Sequence, residues 1–439
     1  MTRGLARHPV HAAVALLVVA AFFQCPQVRA GEATAESDST RAQGHDKPVV
    51  GTSQSGYQTE TTSVGGHSVE NTLADDDKVK NSLVNVKFLG SNFYEFKRRA
   101  YDSLGLALGM DYNFLNQYAT FSSSDTQGAS GVFRFFGMWS PGGADKHKSG
   151  LVFRIQNKHL IGQGLTPREL GFDTGSALST AGFTASGWGV SNLYWTQVNN
   201  NRRHRISIGH LKAGHFIDVY PFLSAWTGFM DDASYNNPTM AQPHVGFGIV
   251  YRGYYLHQFY FAAGIHDANG TPTSMDFNSF FKTNEYFSWA ETGWSPDPAN
   301  AKSGNKISVS GWQVNERGEA GVPSGRGLLL TAVKKLSENW SPFLRAGISD
   351  GEAALVKSMI SLGFGANVRT SDFFGMAFSW AHPYQGQGRE QLTWETLYQL
   401  QLTQNIEVTP GFQWTFHPAQ NPDHESVFVA SVVRFRVAF

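Results

Sequence analysis

The 439 residues carry 35 basic and 35 acidic side chains, so the formal net charge is +0 and nothing marks a general nucleic-acid binder. Charged residues are 16%, well under the roughly 25% of ordinary globular chains, while aromatics reach 13% with 33 Phe and 11 Trp. Mean hydropathy is −0.28, and no uninterrupted apolar run reaches the ~18 residues that a membrane helix needs, which excludes a polytopic helical membrane protein.

The amino terminus reads as a targeting segment. Arg3 and Arg7 precede the apolar run Ala12 to Phe23, and Val28-Arg29-Ala30 offers a cleavage site. Residues 1–30 are thus expected to be a cleaved signal peptide. The chain's single cysteine, Cys25, falls inside it, so the mature chain has neither disulfides nor a thiolate metal site. Phe22-Phe23-Gln24-Cys25 lacks the small residues of a lipoprotein box. Residues 31–91 are polar, show no period, and read as a mobile periplasmic lead segment. Asn92 to Asp102 fits a short helix with Phe93, Phe96 and Ala100 on one side.

From Leu104 the grain changes to period 2, the repeat that sends alternate side chains to opposite faces of a strand. Leu104, Leu106, Leu108, Met110, Tyr112 and Phe114 alternate with Gly105, Ala107, Gly109, Asp111 and Asn113. The same grain runs through Leu151–Gln156, Ile360–Arg369, Phe374–Trp380 and Ile406–His417. It ends in Val427–Phe439, where Val427, Val429, Ser431, Val433, Phe435, Val437 and Phe439 share one face and Arg434 and Arg436 lie on the other. Lysine is sparse on the polar sides, as suits a wet lumen rather than the outside of a soluble sandwich. Strands are expected near 104–117, 129–139, 149–158, 187–197, 205–213, 244–252, 255–265, 285–295, 305–314, 327–335, 341–348, 358–368, 372–381, 391–403, 405–417 and 426–439. The fold expected for residues 92–439 is all-β: a transmembrane antiparallel β-barrel of about 16 strands around a water-filled lumen, with a lead-in helix.

The gaps 159–186, 214–243 and 266–284 read as outer loops, or as a loop folded into the bore. Trp139, Trp188, Tyr220, Trp226, Tyr254, Trp294, Trp340 and Tyr384 lie near strand ends, as aromatic girdles do. The aromatic carboxyl terminus, Phe439, resembles the terminal signature of outer-membrane barrels.

Four stretches carry a further resemblance. They are Tyr235-Asn236-Asn237-Pro238-Thr239-Met240-Ala241-Gln242-Pro243, Trp340-Ser341-Pro342-Phe343-Leu344-Arg345-Ala346-Gly347, Asp372-Phe373-Phe374-Gly375-Met376-Ala377-Phe378, and Glu395-Thr396-Leu397-Tyr398-Gln399-Leu400-Gln401-Leu402-Thr403 leading into Thr409-Pro410-Gly411-Phe412-Gln413-Trp414. In their order and spacing they resemble the carbohydrate-selective porins, the OprB family. The chain departs from that family's pattern at Gln399, where Arg is frequent, and at His417-Pro418-Ala419, where Asn-Pro-Gly is. These departures bear on sugar preference rather than on fold.

The resemblance implies an outer-membrane porin for passive diffusion of mono- or oligosaccharides. A porin needs no nucleophile and no cofactor, only a bore whose width and lining select solutes. Arg offers a planar fork of donors and Glu offers acceptors for sugar hydroxyls. The expected pore-lining residues are Arg134, Arg154, Trp195, Glu291, Trp312, Arg345, Arg369, Glu395, Gln399, Gln413 and Arg436, with Arg345 and Glu395 foremost. The expected partners are sugars as solute, outer-membrane lipid and lipopolysaccharide, and barrel-assembly machinery engaging Phe439. Both a monomer and a trimer stay open. A channel for anions, organic acids or polysaccharide is the alternative, and a structural or adhesive barrel a further one. An enzyme is disfavoured, because neither G-x-S-x-G nor H-E-x-x-H occurs.

Overall fold

The computed structural model describes residues 53–54, 68–86, 89–141, 149–178, 182–199, 203–256, 258–296, 304–384 and 389–439. The expected signal peptide and most of the lead segment lie outside them. No helix among the described residues is long and apolar enough to cross a membrane.

The wall is one antiparallel sheet. Its strands are β1 (Leu106–Ala119), β2 (Gln127–Trp139), β3 (Ser149–Leu160), β4 (Gly187–Val198), β5 (His204–Leu211), β6 (Gly246–Tyr255), β7 (Phe259–Asp267), β8 (Tyr286–Trp294), β9 (Asn305–Val314), β10 (Gly325–Lys334), β11 (Trp340–Asp350), β12 (Val356–Asn367), β13 (Phe373–Pro383), β14 (Gln391–Gln401), β15 (Ile406–Val408), β16 (Gly411–Phe416) and β17 (Ser426–Ala438). Each pairs with its sequence neighbours, except that β15 and β16 do not pair with one another, and β17 closes the ring on β1. The segments β15 and β16 both lie between β14 and β17 and share one strand position, so the barrel has 16. Pro410, which has no N–H for the ladder, sits at the interruption. All 16 expected strands are present.

The expected outward faces hold along most of the wall. In β1 the odd-numbered residues point inward and the even ones outward. Two details differ. Leu104 ends a helix instead of opening β1. In β17 the register against β1 skips Val432, and this bulge flips the inward face. Val433, Phe435 and Val437 face out as expected, but Val427, Val429 and Ser431 turn inward and are buried.

The aromatic girdle is partial. Trp139, Trp188 and Trp340 are exposed at strand ends. Tyr220, Trp226 and Tyr254 are instead interior: the first two ride on a loop inside the barrel, and Tyr254 packs inward on Tyr260.

Two helices precede the wall. The second, α2 (Ser91–Leu104), buries Lys97, Ala100 and Tyr101, one stripe at i, i+3 and i+4. Phe96, expected on that side, is exposed. The first, α1 (Val69–Asp76), lies in what reads from sequence as a mobile lead. It is capped by Ser68, whose hydroxyl accepts from Asn71 N, and is buried inside the barrel against β1, β2 and β3.

Candidate functional site: the bore

The connection between β5 and β6, residues 212–245, turns into the barrel. A loop inside a wall has backbone groups with no ladder to join, and each needs a partner once water is excluded. The inner wall supplies them. Arg252 of β6 donates to Phe216 O (2.8 Å), and Lys306 of β9 to Val219 O (2.5 Å). Arg434 of β17 donates to Gly228 O (2.9 Å), and Arg345 of β11 to Asn236 O (2.5 Å). The loop N–H groups of Met230 and Asp231 donate to Glu395 of β14 (2.7 and 2.8 Å), and that of Asp218 donates to Glu291 of β8 (2.7 Å). One loop is thereby fastened around most of the interior. Helix α3 (Pro167–Asp173), opened by a Thr166–Glu169 capping box, belongs to a second inward connection, in which Ala177 N donates to Gln391 Oε1 of β14 (3.0 Å).

Close approach sets residue size on the wall. A Cβ at Gly347 would lie 2.0 Å from Thr239 Oγ1, and one at Gly365 would lie 2.3 Å from the Phe222 ring. Only glycine lets the loop lie on β11 and β12 at these points.

Most expected lining residues are on the inner wall; the charged ones are engaged, whereas Trp312 Nε1 and Gln413 Nε2 are buried without a hydrogen-bond partner among the described residues. Arg345 pairs with Asp218 and lies 4.5 Å from the Tyr220 ring. Glu395 does not meet Arg345; the two hold different parts of the same loop. Glu291 also accepts from Tyr260 (2.6 Å), Ser310 (2.8 Å) and Lys306 (3.3 Å). Arg134 donates to Asp111 (2.7 Å) and stacks on Trp226 at 4.7 Å. Arg154 is buried beside Phe136. Trp312 is buried against Phe287. Gln413 is buried opposite Glu395 in register. Arg436 joins Asp111 (2.8 Å) to Asp76 of α1 (2.7 and 2.6 Å).

Two expectations fail. Trp195 is exposed on the outer face of β4, where strand parity puts it opposite the inward Tyr194 and Thr196. Arg369 is in the turn after β12, where it pairs with Asp372 at 2.6 Å. Gln399 of β14 lines a cavity of about 640 Å³ at the end of the barrel where β17 runs out to the carboxyl terminus, the terminal mouth.

Several functional partners are not on the expected list. Asp218 carries no motif, being one acid in a loop. Arg252 and Arg434 share inward parity with residues of their own strands, a signal that was legible. Glu70 and Asp76 lie in a segment without period. Glu70 pairs with Arg205 (3.2 Å) and accepts from Tyr194 (3.2 Å). Together with Asp76 it fixes α1 across the bore.

Residues 329–439 match the family described as carbohydrate-selective porin, OprB family. Through this stretch, about a quarter of the chain, the protein is similar to the OprB family. Among solved structures, the high-pH structure of Pseudomonas putida OprB aligns with a TM-score of 0.62 at 14% identity, covering 81% of this chain and 99% of that one. The low-pH structure of the same protein aligns with a TM-score of 0.51 at 13% identity over the same shares. No curated protein matches by sequence. At such identity these two similarities speak for the fold alone. The closed wall with its apolar exterior is the architecture of a transmembrane β-barrel.

Proposed function

We propose that the protein passes carbohydrates, as mono- or oligosaccharides, by passive diffusion through its bore. The observation that carries this reading is the cancellation of charge inside the wall. Arg134 and Arg436 meet Asp111 and Asp76, Arg345 meets Asp218, and Lys306 and Arg252 meet Glu291. A bore lined by paired charges presents no strong field of one sign and suits neutral, polar solutes. The same arrangement reserves the charges for holding the inward loop, which sets the width. Sugars are then the natural solutes of the OprB-family channel. Phe439, whose N–H donates to Met110 O (2.8 Å), is proposed as the mark for barrel assembly.

The test is ion current through the purified protein in a planar bilayer with added sugar. Concentration-dependent block by glucose or maltose is expected. Steady current at every sugar concentration would sink the carbohydrate reading.

One observation favours a channel for small anions. Burial and the charges of Lys212, Lys158, Arg168 and Arg317 hold His244 below its usual pKa, which marks a positive region around the start and end of the inward loop. Strong anion over cation selectivity in the same bilayer, with no sugar block, would decide for that reading.

A further inference from the structure

The cavity of about 640 Å³ lies between three elements: the tip of the inward loop, the terminal-side ends of strands β9 to β14, and α1 with the residues after it. Its lining differs in kind from the wall behind the loop. Phe222 and Phe373 stand 5.4 Å apart, tilted by 31°, and are only half-buried. Beside them are the side-chain amides of Asn339, Asn367 and Gln399, which form no hydrogen bonds among the described residues. Each amide offers both a donor and an acceptor. The charges around the rim are of mixed sign, with Lys78 and Asp75 paired at 3.1 Å.

We propose that this cavity is a saccharide subsite at the terminal mouth, with α1 as one of its walls. Apolar ring faces beside open amides match a neutral, polyhydroxylated ring, whose C–H face is apolar and whose rim is a ring of hydroxyls. A solute that has cleared the loop meets here accessible, uncommitted amides, whereas the uncommitted polar atoms behind the loop, such as Gln413 Nε2 and Arg434 Nη2, are buried. Behind the loop, arginine and glutamate are taken by backbone and by one another. The subsite deepens the carbohydrate reading and rests on it.

The experiment uses the full-length protein in a planar bilayer, with glucose and maltose as probes added on the terminal side. Gln399→Ala removes an amide that has no hydrogen-bond partner among the described residues, and Phe373→Ala removes a ring. Each is expected to weaken sugar block roughly fivefold, or about 1 kcal/mol at 1.4 kcal/mol per decade. Phe373→Tyr, which keeps the ring face, is expected to restore it. Ion current reports assembly, and a purely structural loss at Phe373 would raise that current as the loop loosens, with Gln399→Ala silent. Block of the unaltered protein that persists unchanged in Gln399→Ala and Phe373→Ala overturns the subsite alone. Absence of block in the unaltered protein overturns the carbohydrate reading and the subsite with it.

Discussion

The inner wall behind the loop and the cavity at the terminal mouth are both polar, yet they put polarity to different uses. Behind the loop, Arg345, Glu395, Glu291, Arg252, Lys306 and Arg434 bind carbonyls and N–H groups of residues 216–236. At the mouth, Asn339, Asn367 and Gln399 are open. Charge density on the wall therefore marks where a buried backbone had to be satisfied. Unspent hydrogen-bonding capacity that solvent can reach marks where a solute can be met.

The largest effect should come from breaking the brace. Arg345→Ala leaves Asp218 buried without its cation, a loss of about 3–5 kcal/mol for such pairs. The expected result is a lower unfolding temperature in detergent and a larger ion current as the loop leaves the bore. Replacing both partners by apolar residues, Arg345→Met with Asp218→Leu, should recover much of the stability, since no orphan charge remains. If Arg345→Ala changed sugar block alone, with current and stability intact, Arg345 would belong to the solute site and the contrast between the two regions would fail.

The next test sets the two faces of the wall against each other. Val433 is 41% exposed on the outside, whereas Gln413 is 7% exposed on the inside. Val433→Arg should cost about 2–4 kcal/mol if it lies near the membrane midplane, read as reduced assembly into lipid. Gln413→Arg should assemble at close to the normal level. Equal penalties would contradict the assignment of faces.

The brace on α1 is smaller. Arg436→Gln removes charge-assisted bonds to Asp76, each worth about 1.5–3 kcal/mol, while Glu70 keeps its own pair with Arg205. Partial release is expected, seen as faster proteolysis within residues 68–80 and a modest rise in current. Resistance equal to that of the unaltered protein would show that Glu70 and apolar packing of Val69 and Leu73 suffice.

The sequence made the wall legible because period 2 is a local signal repeated in every strand. Parity placed Arg436 inward, and the stretches that resemble the OprB family singled out Arg345 and Glu395. Sequence alone misplaced Trp195, because a single tryptophan carries no parity of its own and its alternation with Tyr194 and Thr196 fits either face. It missed the flip within β17, because a bulge at Val432 depends on pairing with β1, not on the strand's own composition. The roles of Arg345 and Glu395 were hidden for a deeper reason. What they bind is the backbone of a loop more than a hundred residues away, and backbone groups leave no trace in side-chain identity. Helix α1 was illegible likewise: its stability comes from Glu70 and Asp76 meeting Arg205 and Arg436 in the wall, not from any period in the lead.

The smallest effect concerns how firmly the inward loop sits as pH changes. Helix α4 (Asp232–Tyr235) and the preceding Asp231 pack inside against β12 and β13. Burial pushes Asp231 up to about 6, although Ser379 and Ser234 donate to its carboxylate. Burial also pushes Asp232 up to about 7; Asp231 adds to that rise, and the charges of Arg168 and Lys212 oppose it. Both groups bind protons more tightly when the loop is seated than when it is free, where they ionise near 3.8. Their protonation thus supports the seated loop fully below about pH 4, and that support is lost as pH rises through 6 to 7. Current at pH 8 should accordingly be noisier and somewhat larger than at pH 5. Asp232→Asn, neutral at every pH, should flatten that difference. A pH response as steep in Asp232→Asn as in the unaltered protein would move its origin off this carboxyl and onto the basic residues around His244.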